Sequence, residues 1–431
     1  MPAQLVTAVR NAKAHLTQRS LVHTLALALM WLAMATSGFV FSEPSPTDLI
    51  TIALIVLLPV IGLVRIGPAL GCLMLVFGTA AAFALISTVS AFELNTAVTH
   101  TLVTLYLYGG TIVLAGFIAV KPEAHAKLMF NGLTVAAVIA CATGLGGYFG
   151  LVPGAEMFTK FGRATGTFKD PNVFGPFLVP PMLYALHLAL DRSLKRSLPP
   201  LVLAGFLALG VFLSFSRGAW VNLVIALGVY IVLAFLTAAT NARRQKIVFL
   251  GMTCAALVAA VIAGALQIDK VSALVAERAS VSQSYDAGPE GRFGGQQKAV
   301  ALILENPLGI GAQQFAVHHH HEEVHNVYLS MALNTGWLGA GLYIIATVLT
   351  LLVGVKSAFK RSAAQPFLLI TVAAFAANAF EGVIIDTDHW RHFYLLMAFV
   401  WGIATAPALH TVIPLQRATP ARGRLTGLAT A

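Results

Sequence analysis

A chain of 431 residues that is 58% hydrophobic and only 10% charged falls outside the soluble globular class, in which about a quarter of residues carry charge. Its net charge of +10 sits in short runs between long apolar stretches, so it reports membrane orientation and gives no reason to invoke nucleic acid. Cys72, Cys141 and Cys254 all fall inside apolar stretches, so no disulfide framework is indicated.

The sequence predicts an all-α polytopic membrane protein with about 12 transmembrane helices, because each apolar stretch nears the ~20 residues that cross a hydrocarbon core. The stretches are 21–41, 47–64, 67–91, 99–120, 127–150, 173–190, 199–216, 218–237, 247–266, 326–355, 365–385 and 391–409. This divides the chain into a cytoplasmic N-terminus (1–20), helices 1–9 (21–266), an outward loop with short helices (267–325), helices 10–12 (326–409) and a disordered cytoplasmic tail (410–431). Ala33-Met34-Ala35 passes for a signal-peptidase site, but the stretch around it is long enough to stay as a span. With the N-terminus inside, the inner segments hold 18 of the 27 basic residues and two of the 17 acids, a net of +16 against −6 outside. That is the asymmetry of the positive-inside rule.

The unusual residues gather on the outward face. Gly162 to Asn172 is turn-rich, and Arg163, Lys169, small residues and Asn172 suit either a phosphate-wrapping loop or an ordinary loop in which Asp170-Pro171 caps the next helix. Arg217 sits at the tip of a hairpin with almost no loop; it either snorkels or offers a guanidinium fork to phosphate. In the long loop, Val271 to Pro289 reads as irregular. Arg292 to Glu305 reads as an amphipathic helix, stopped by Asn306-Pro307-Leu308-Gly309-Ile310-Gly311.

His318 to His321 with Glu322 and Glu323 has the ligand types of a zinc site, but consecutive side chains cannot all face one ion, so no dedicated metal site is expected. His325, beside Asn326 at the mouth of a span, is either a base active near neutral pH or a helix-end hydrogen-bonder. Glu381 reads as the lone acid inside a span. In Asp386-Thr387-Asp388-His389-Trp390-Arg391-His392, the D-x-D letters are those of metal-dependent sugar transferases, and Asp388 is spaced to pair with Arg391. A transporter or lipid-linked oligosaccharide flippase is the competing class, with Pro180-Pro181 as a helix break at the midplane.

The ordered set Gly162-Arg163-x-x-Gly166-x-Phe168-x-Asp170-Pro171-Asn172, Ser216-Arg217-Gly218-Ala219-Trp220, Arg292 with Asn306 to Gly311, and His325-Asn326-x-Tyr328-Leu329 resembles the O-antigen ligase and Wzy-type polymerase superfamily, over about residues 20–405. Asp386 to His392 is similar to a subgroup from exopolysaccharide or O-antigen gene clusters. The resemblance implies a GT-C-like, metal-independent glycosyltransferase of the bacterial inner membrane, with a large periplasmic loop between helices 9 and 10 and no cofactor. Its implied donor is a glycan on undecaprenyl diphosphate, and its acceptor lipid A–core or another lipid-linked glycan. Arg217 and Arg292 would hold the diphosphate and His325 would activate the acceptor hydroxyl. Arg163, Lys169, Asn172, Asn326, Asp388 and Arg391 would complete the substrate-binding set.

Overall fold

The computed structural model describes residues 21–279 and 288–407. The calls on the N-terminal segment 1–20 and on the tail 410–431 lie outside these residues. In chain order the helices are α1 (Leu21–Ala35), α2 (Pro46–Val60), α3 (Pro68–Val89), α4 (Leu94–Val120), α5 (Pro122–Tyr148), α6 (Pro171–Asp191), α7 (Leu198–Leu213), α8 (Arg217–Thr237) and α9 (Asn241–Ala265). There follow α10 (Asp269–Ala279), α11 (Arg292–Glu305), α12 (Phe315–His318), α13 (Val327–Ala358), α14 (Gln365–Glu381) and α15 (Arg391–Ala404). A two-stranded ribbon, β1 (Thr159–Lys160) with β2 (Arg163–Ala164), precedes α6.

Each apolar stretch read from the sequence contains one of these helices. α3, α4, α5, α6, α8 and α13 are long and apolar enough to cross a membrane, while α1, α2, α7, α14 and α15 are apolar but shorter. The protein is therefore an all-helical membrane protein. Of these six long helices α6 is the most buried, with 83% of its most apolar window buried against 28% for α3, so whatever α6 begins with is held on a well-packed post. It packs on α7 and α8, while α14 packs on α8, α15 on α4 and α13 on α3.

Two expectations are corrected. Residues 271–279 of the stretch read as irregular belong to α10 (Asp269–Ala279), while 280–287 lie outside the described residues. And α6 runs unbroken through Pro176, Pro180 and Pro181. Each proline removes one i→i−4 hydrogen bond, but dense packing on all sides holds the helix together.

The break comes in α13 instead, at Gly336, whose φ of 71° and ψ of 179° are non-helical. There the Asn306 to Gly311 turn wedges into the helix. Trp337 N donates to Pro307 O (2.9 Å) and Ile310 N donates to Leu333 O (2.8 Å). The bond that Trp337 N would make to Leu333 O in a regular helix is thus exchanged for two bonds to the turn. Gly311 N donates to Ser87 Oγ on α3 (3.1 Å), and Trp337 Nε1 to Ile303 O at the end of α11 (2.7 Å).

A Cβ on Gly336 would lie 2.6 Å from Pro307 O, and its dihedrals belong to a region essentially restricted to glycine. Gly336→Ala is expected to cost about 1–3 kcal/mol from the backbone alone and to lower Tm. Gly341→Ala, whose Cβ would meet nothing within 4 Å, should leave Tm unchanged or raise it slightly. Thermal unfolding of both variants in detergent checks the pair.

Candidate functional site

Several separate segments converge on one cavity of about 810 Å³. Arg163 and Asn172 enter from the β2–α6 region, Arg217 from the start of α8, Arg292 from the start of α11, and His325 and Asn326 from the start of α13. Glu381, at the end of α14, and Asp386 complete this wall. Lys169, Asp388 and Arg391 line a neighbouring cavity of about 280 Å³. The two cavities share Asp170, Val173, Asp386 and Trp390 as a partition.

The first wall is fixed by short-range capping. The Asp170 side chain accepts from Asn172 N (2.7 Å), capping α6, so the plain reading of Asp170-Pro171 holds. Arg163, almost fully buried, donates from Nε to Ser214 O and from Nη2 to Asn172 Oδ1, both at 2.8 Å. It therefore clamps the ribbon to the turn between α7 and α8. In that turn Phe215 takes φ +46°, and Ser216 Oγ caps α8 by accepting from Ala219 N (3.2 Å). Arg217 is then the first residue of a 21-residue helix, half-buried at the cavity rim.

The opposite wall is built around Asp386. Its Oδ2 accepts from His325 N (2.9 Å) and its Oδ1 from Asn326 N (3.2 Å), and Ser330 Oγ also donates to it. Asn326 Oδ1 in turn caps α13 by accepting from Tyr328 N and Leu329 N. These bonds hold His325 at φ +54°, a left-handed conformation that costs a non-glycine residue ~1 kcal/mol or more. The imidazole Nδ1 lies 4.0 Å from Asp386 Oδ2, and Nε2 lies 3.6 Å from Glu322 Oε2. Arg292 Nη2 reaches His325 O at 3.4 Å.

Burial, and then the nearby carboxylate of Asp388, push the Asp386 carboxyl above its ordinary value; Ser330 and His325 act against this. Burial with the charges of Asp386 and Asp388 likewise raises Glu323, to about 7. Burial also works against a charge on Asp388, but His100 and His389 outweigh it and hold the carboxyl well below the usual range.

The sequence suggested that Asp388 and Arg391 pair with each other, and the structure corrects this. Arg391 grips Asp48 in a two-pronged ion pair, Nε to Oδ1 at 2.6 Å and Nη2 to Oδ2 at 2.8 Å. Asp388 pairs with His100 (Nε2 to Oδ2, 3.1 Å). Both contacts are buried joints between distant segments. Asp48 also lies in the first turn of α2, so Glu381 is not the lone acid among the apolar helices. Glu381 is 1% exposed and accepts from Asn222 Nδ2 (2.8 Å), while its Oε1 makes no hydrogen bond. Lys169 lies 3.7 Å from Glu43 on the surface.

Asp386, Glu322, Glu323 and Glu381 are among the cavity residues that sequence reasoning did not assign to the site. The D-x-D letters marked Asp386, but nothing in the local sequence ties it to His325.

The class defined here is a helical membrane protein with an arginine- and histidine-lined cavity at the ends of its helices. Among protein families, the O-antigen ligase family model matches residues 202–344, the stretch that carries Arg217, Arg292 and His325. The match bears out the resemblance to the O-antigen ligase and Wzy-type superfamily. Comparison with the curated proteins gives no match.

Glu323 yields a prediction on stability. A carboxyl raised in the fold favours the native state below its unfolded value of 4.5, and that advantage is lost as pH rises to about 7. Glu323→Gln cannot ionise, so it should match the parent near pH 4.5 and become the more stable protein by pH 8. Melting curves across this range check the sign.

Proposed function

We propose that the protein is a metal-independent membrane glycosyltransferase of the O-antigen ligase or polymerase kind, GT-C-like, crossing the bacterial inner membrane about twelve times and acting at its periplasmic face. Its donor is a glycan on undecaprenyl diphosphate, and its acceptor a hydroxyl of lipid A–core or of another lipid-linked glycan.

The observation that carries this reading is the make-up of the larger cavity. Arg163, Arg217 and Arg292 line it together with the residues that open α6, α8, α11 and α13. Helix N-termini carry partial positive charge and bind anions, and guanidinium forks suit phosphate oxygens. An anionic diphosphate is the ligand such a wall favours.

Opposite these groups stand His325 and the carboxylates of Glu322 and Asp386, which stabilise an imidazolium. In transfer, the acceptor oxygen attacks the anomeric carbon and its proton passes to His325. The bond from that carbon to the diphosphate breaks, and the arginines stabilise the charge left on the leaving group. Asp386 holds the backbone of His325 and so orients the base. Asn326 fixes the same turn, and Asn172 fixes Arg163. Lys169, Asp388 and Arg391 belong to the neighbouring cavity, where they shape the approach of the glycan.

The deciding experiment is transfer in vitro from purified lipid-linked glycan, which a flippase cannot perform. Arg217→Ala and Arg292→Ala should weaken donor binding as well as turnover, and Arg→Lys should also impair both, because lysine lacks the fork. His325→Ala should cut turnover by ~10²-fold or more with donor affinity nearly intact. A folded His325→Ala protein with parental activity would remove histidine from the mechanism.

Transfer is expected to persist in chelator; a strict requirement for an added divalent ion would shift the chemistry to the acidic residues. Deletion in the source cell separates the two acceptors. Unattached long lipid-linked chains indicate a ligase, and loss of long chains a polymerase.

A further inference from the structure

Four consecutive histidines, His318 to His321, have no place in the mechanism above, and the structure separates them. His318 is exposed beside the ring of Phe92, and His319 lies near Phe315. His320 and His321 turn the other way, toward Glu290 at the entrance to α11. The carboxylate Oε2 of Glu290 lies 4.0 Å from His320 Nε2 and 3.8 Å from His321 Nδ1. One ligand atom from each of the three residues falls within 4.8 Å of the others.

The His320 imidazole is the informative member. Its side chain is 1% exposed, yet its Nε2 has no hydrogen-bond partner among the described residues. A buried ring nitrogen without a partner is costly, and this one faces the carboxylate across a gap too long for a hydrogen bond. The other ring nitrogen, Nδ1, lies 3.2 Å from Glu322 O. Glu322 N also lies 3.3 Å from Nδ1, so the ring can take either tautomer; the one that donates Nδ1–H to the carbonyl leaves the Nε2 lone pair toward Glu290, the arrangement by which outer partners orient metal-bound histidine.

The ring is also held in place, since a Cβ on Gly295 would come within 3.1 Å of it and Phe315 stacks alongside. The second oxygen of Glu290 accepts from Lys298 Nζ (2.9 Å), which directs the first toward the histidines. Ligand atoms around a tetrahedral zinc ion sit about 3.3 Å apart, given bonds of about 2.0–2.1 Å. The two gaps to Glu290 exceed that spacing by about 0.5–0.7 Å, and no pair of ligand atoms exceeds it by more than about 1.5 Å.

The cluster of His100, Asp388 and His389 lacks these features. Its imidazoles stack at 3.8 Å, His100 already bonds Asp388 at 3.1 Å and His389 Nε2 meets Thr104 Oγ1 at 3.0 Å.

We propose that Glu290, His320 and His321 form a three-ligand site for a divalent transition-metal ion of the zinc class, with a fourth position left to water. Two imidazoles and a carboxylate are the donor set zinc prefers over magnesium or calcium. The ion staples the start of α11 to the segment that leads into α13. Its role is to hold two elements in register, apart from the chemistry of transfer. The proposed site departs from the expectation of no dedicated metal site: two of the four histidines would be ligands and two would not.

The test uses the full chain in detergent, purified through a tag without histidines, stripped with chelator and titrated with zinc chloride alone. One equivalent should bind per chain, and zinc should raise Tm. Glu290→Gln and His321→Ala, both at exposed positions, should each weaken binding by ~10-fold or more and abolish the rise in Tm. The double variant His318→Ala/His319→Ala should bind as the parent does. Absence of stoichiometric binding would overturn the site. So would equal losses in the His318/His319 double variant and in His321→Ala, which would mark an adventitious histidine run.

Discussion

The exchange of backbone hydrogen bonds at Gly336 is the joint on which the rest of the cavity depends. A transmembrane helix normally satisfies its own polar groups, but here Leu333 O and Trp337 N take partners from the Asn306 to Gly311 turn. That turn ends α11, so the exchange anchors the helix that opens with Arg292. It also shortens the upper part of α13 to the turns between Val327 and Gly336, which places the Asn326 cap and His325 above the joint. Arg292 and His325 are in this way referred to the same fixed point, and the long hydrogen bond between them follows from it.

Charge in the larger cavity is mixed, but the mixture is ordered by element. The arginines enter from the starts of α8 and α11 and from the ribbon before α6, while the carboxylates of Glu322, Glu323 and Asp386 cluster around His325. A uniformly basic cavity would hold an anion equally well but would oppose protonation of a nearby imidazole. The backbone strain at His325 belongs to the same economy, because Asp386 spends its oxygens on holding that turn.

Local signals in the sequence were readable and remote ones were not. α11 begins at Arg292 and ends at Glu305 because its apolar period and the Asn306-Pro307 stop are written within a few residues of each other. The Asp170 cap and the apolar helices are legible for the same reason. The partners of Arg391 and Asp388 are not, since Asp48 and His100 reach them only through the packing of α2 on α4 and of α4 on α15. Sequence spacing offered Asp388 to Arg391 as a local pair, but the guanidinium meets Asp48 on α2 and Asp388 meets His100. Pro180-Pro181 mislead for a related reason: the proline rule counts lost hydrogen bonds but not the close packing that keeps α6 straight. The break at Gly336 carries no local mark beyond one glycine, because what stabilises it lies on another segment.

The joint in α13 also bears on where the shape of that helix comes from. In a regular helix Leu333 O and Trp337 N bond each other, and here both bond the Asn306 to Gly311 turn instead; in hydrocarbon one set of partners or the other is needed, because an unpaired group costs several kcal/mol. The turn precedes α13 in the chain. Its docking exchanges the first set of partners for the second, so the kink at Gly336 is a product of that docking and not a property of the helix alone.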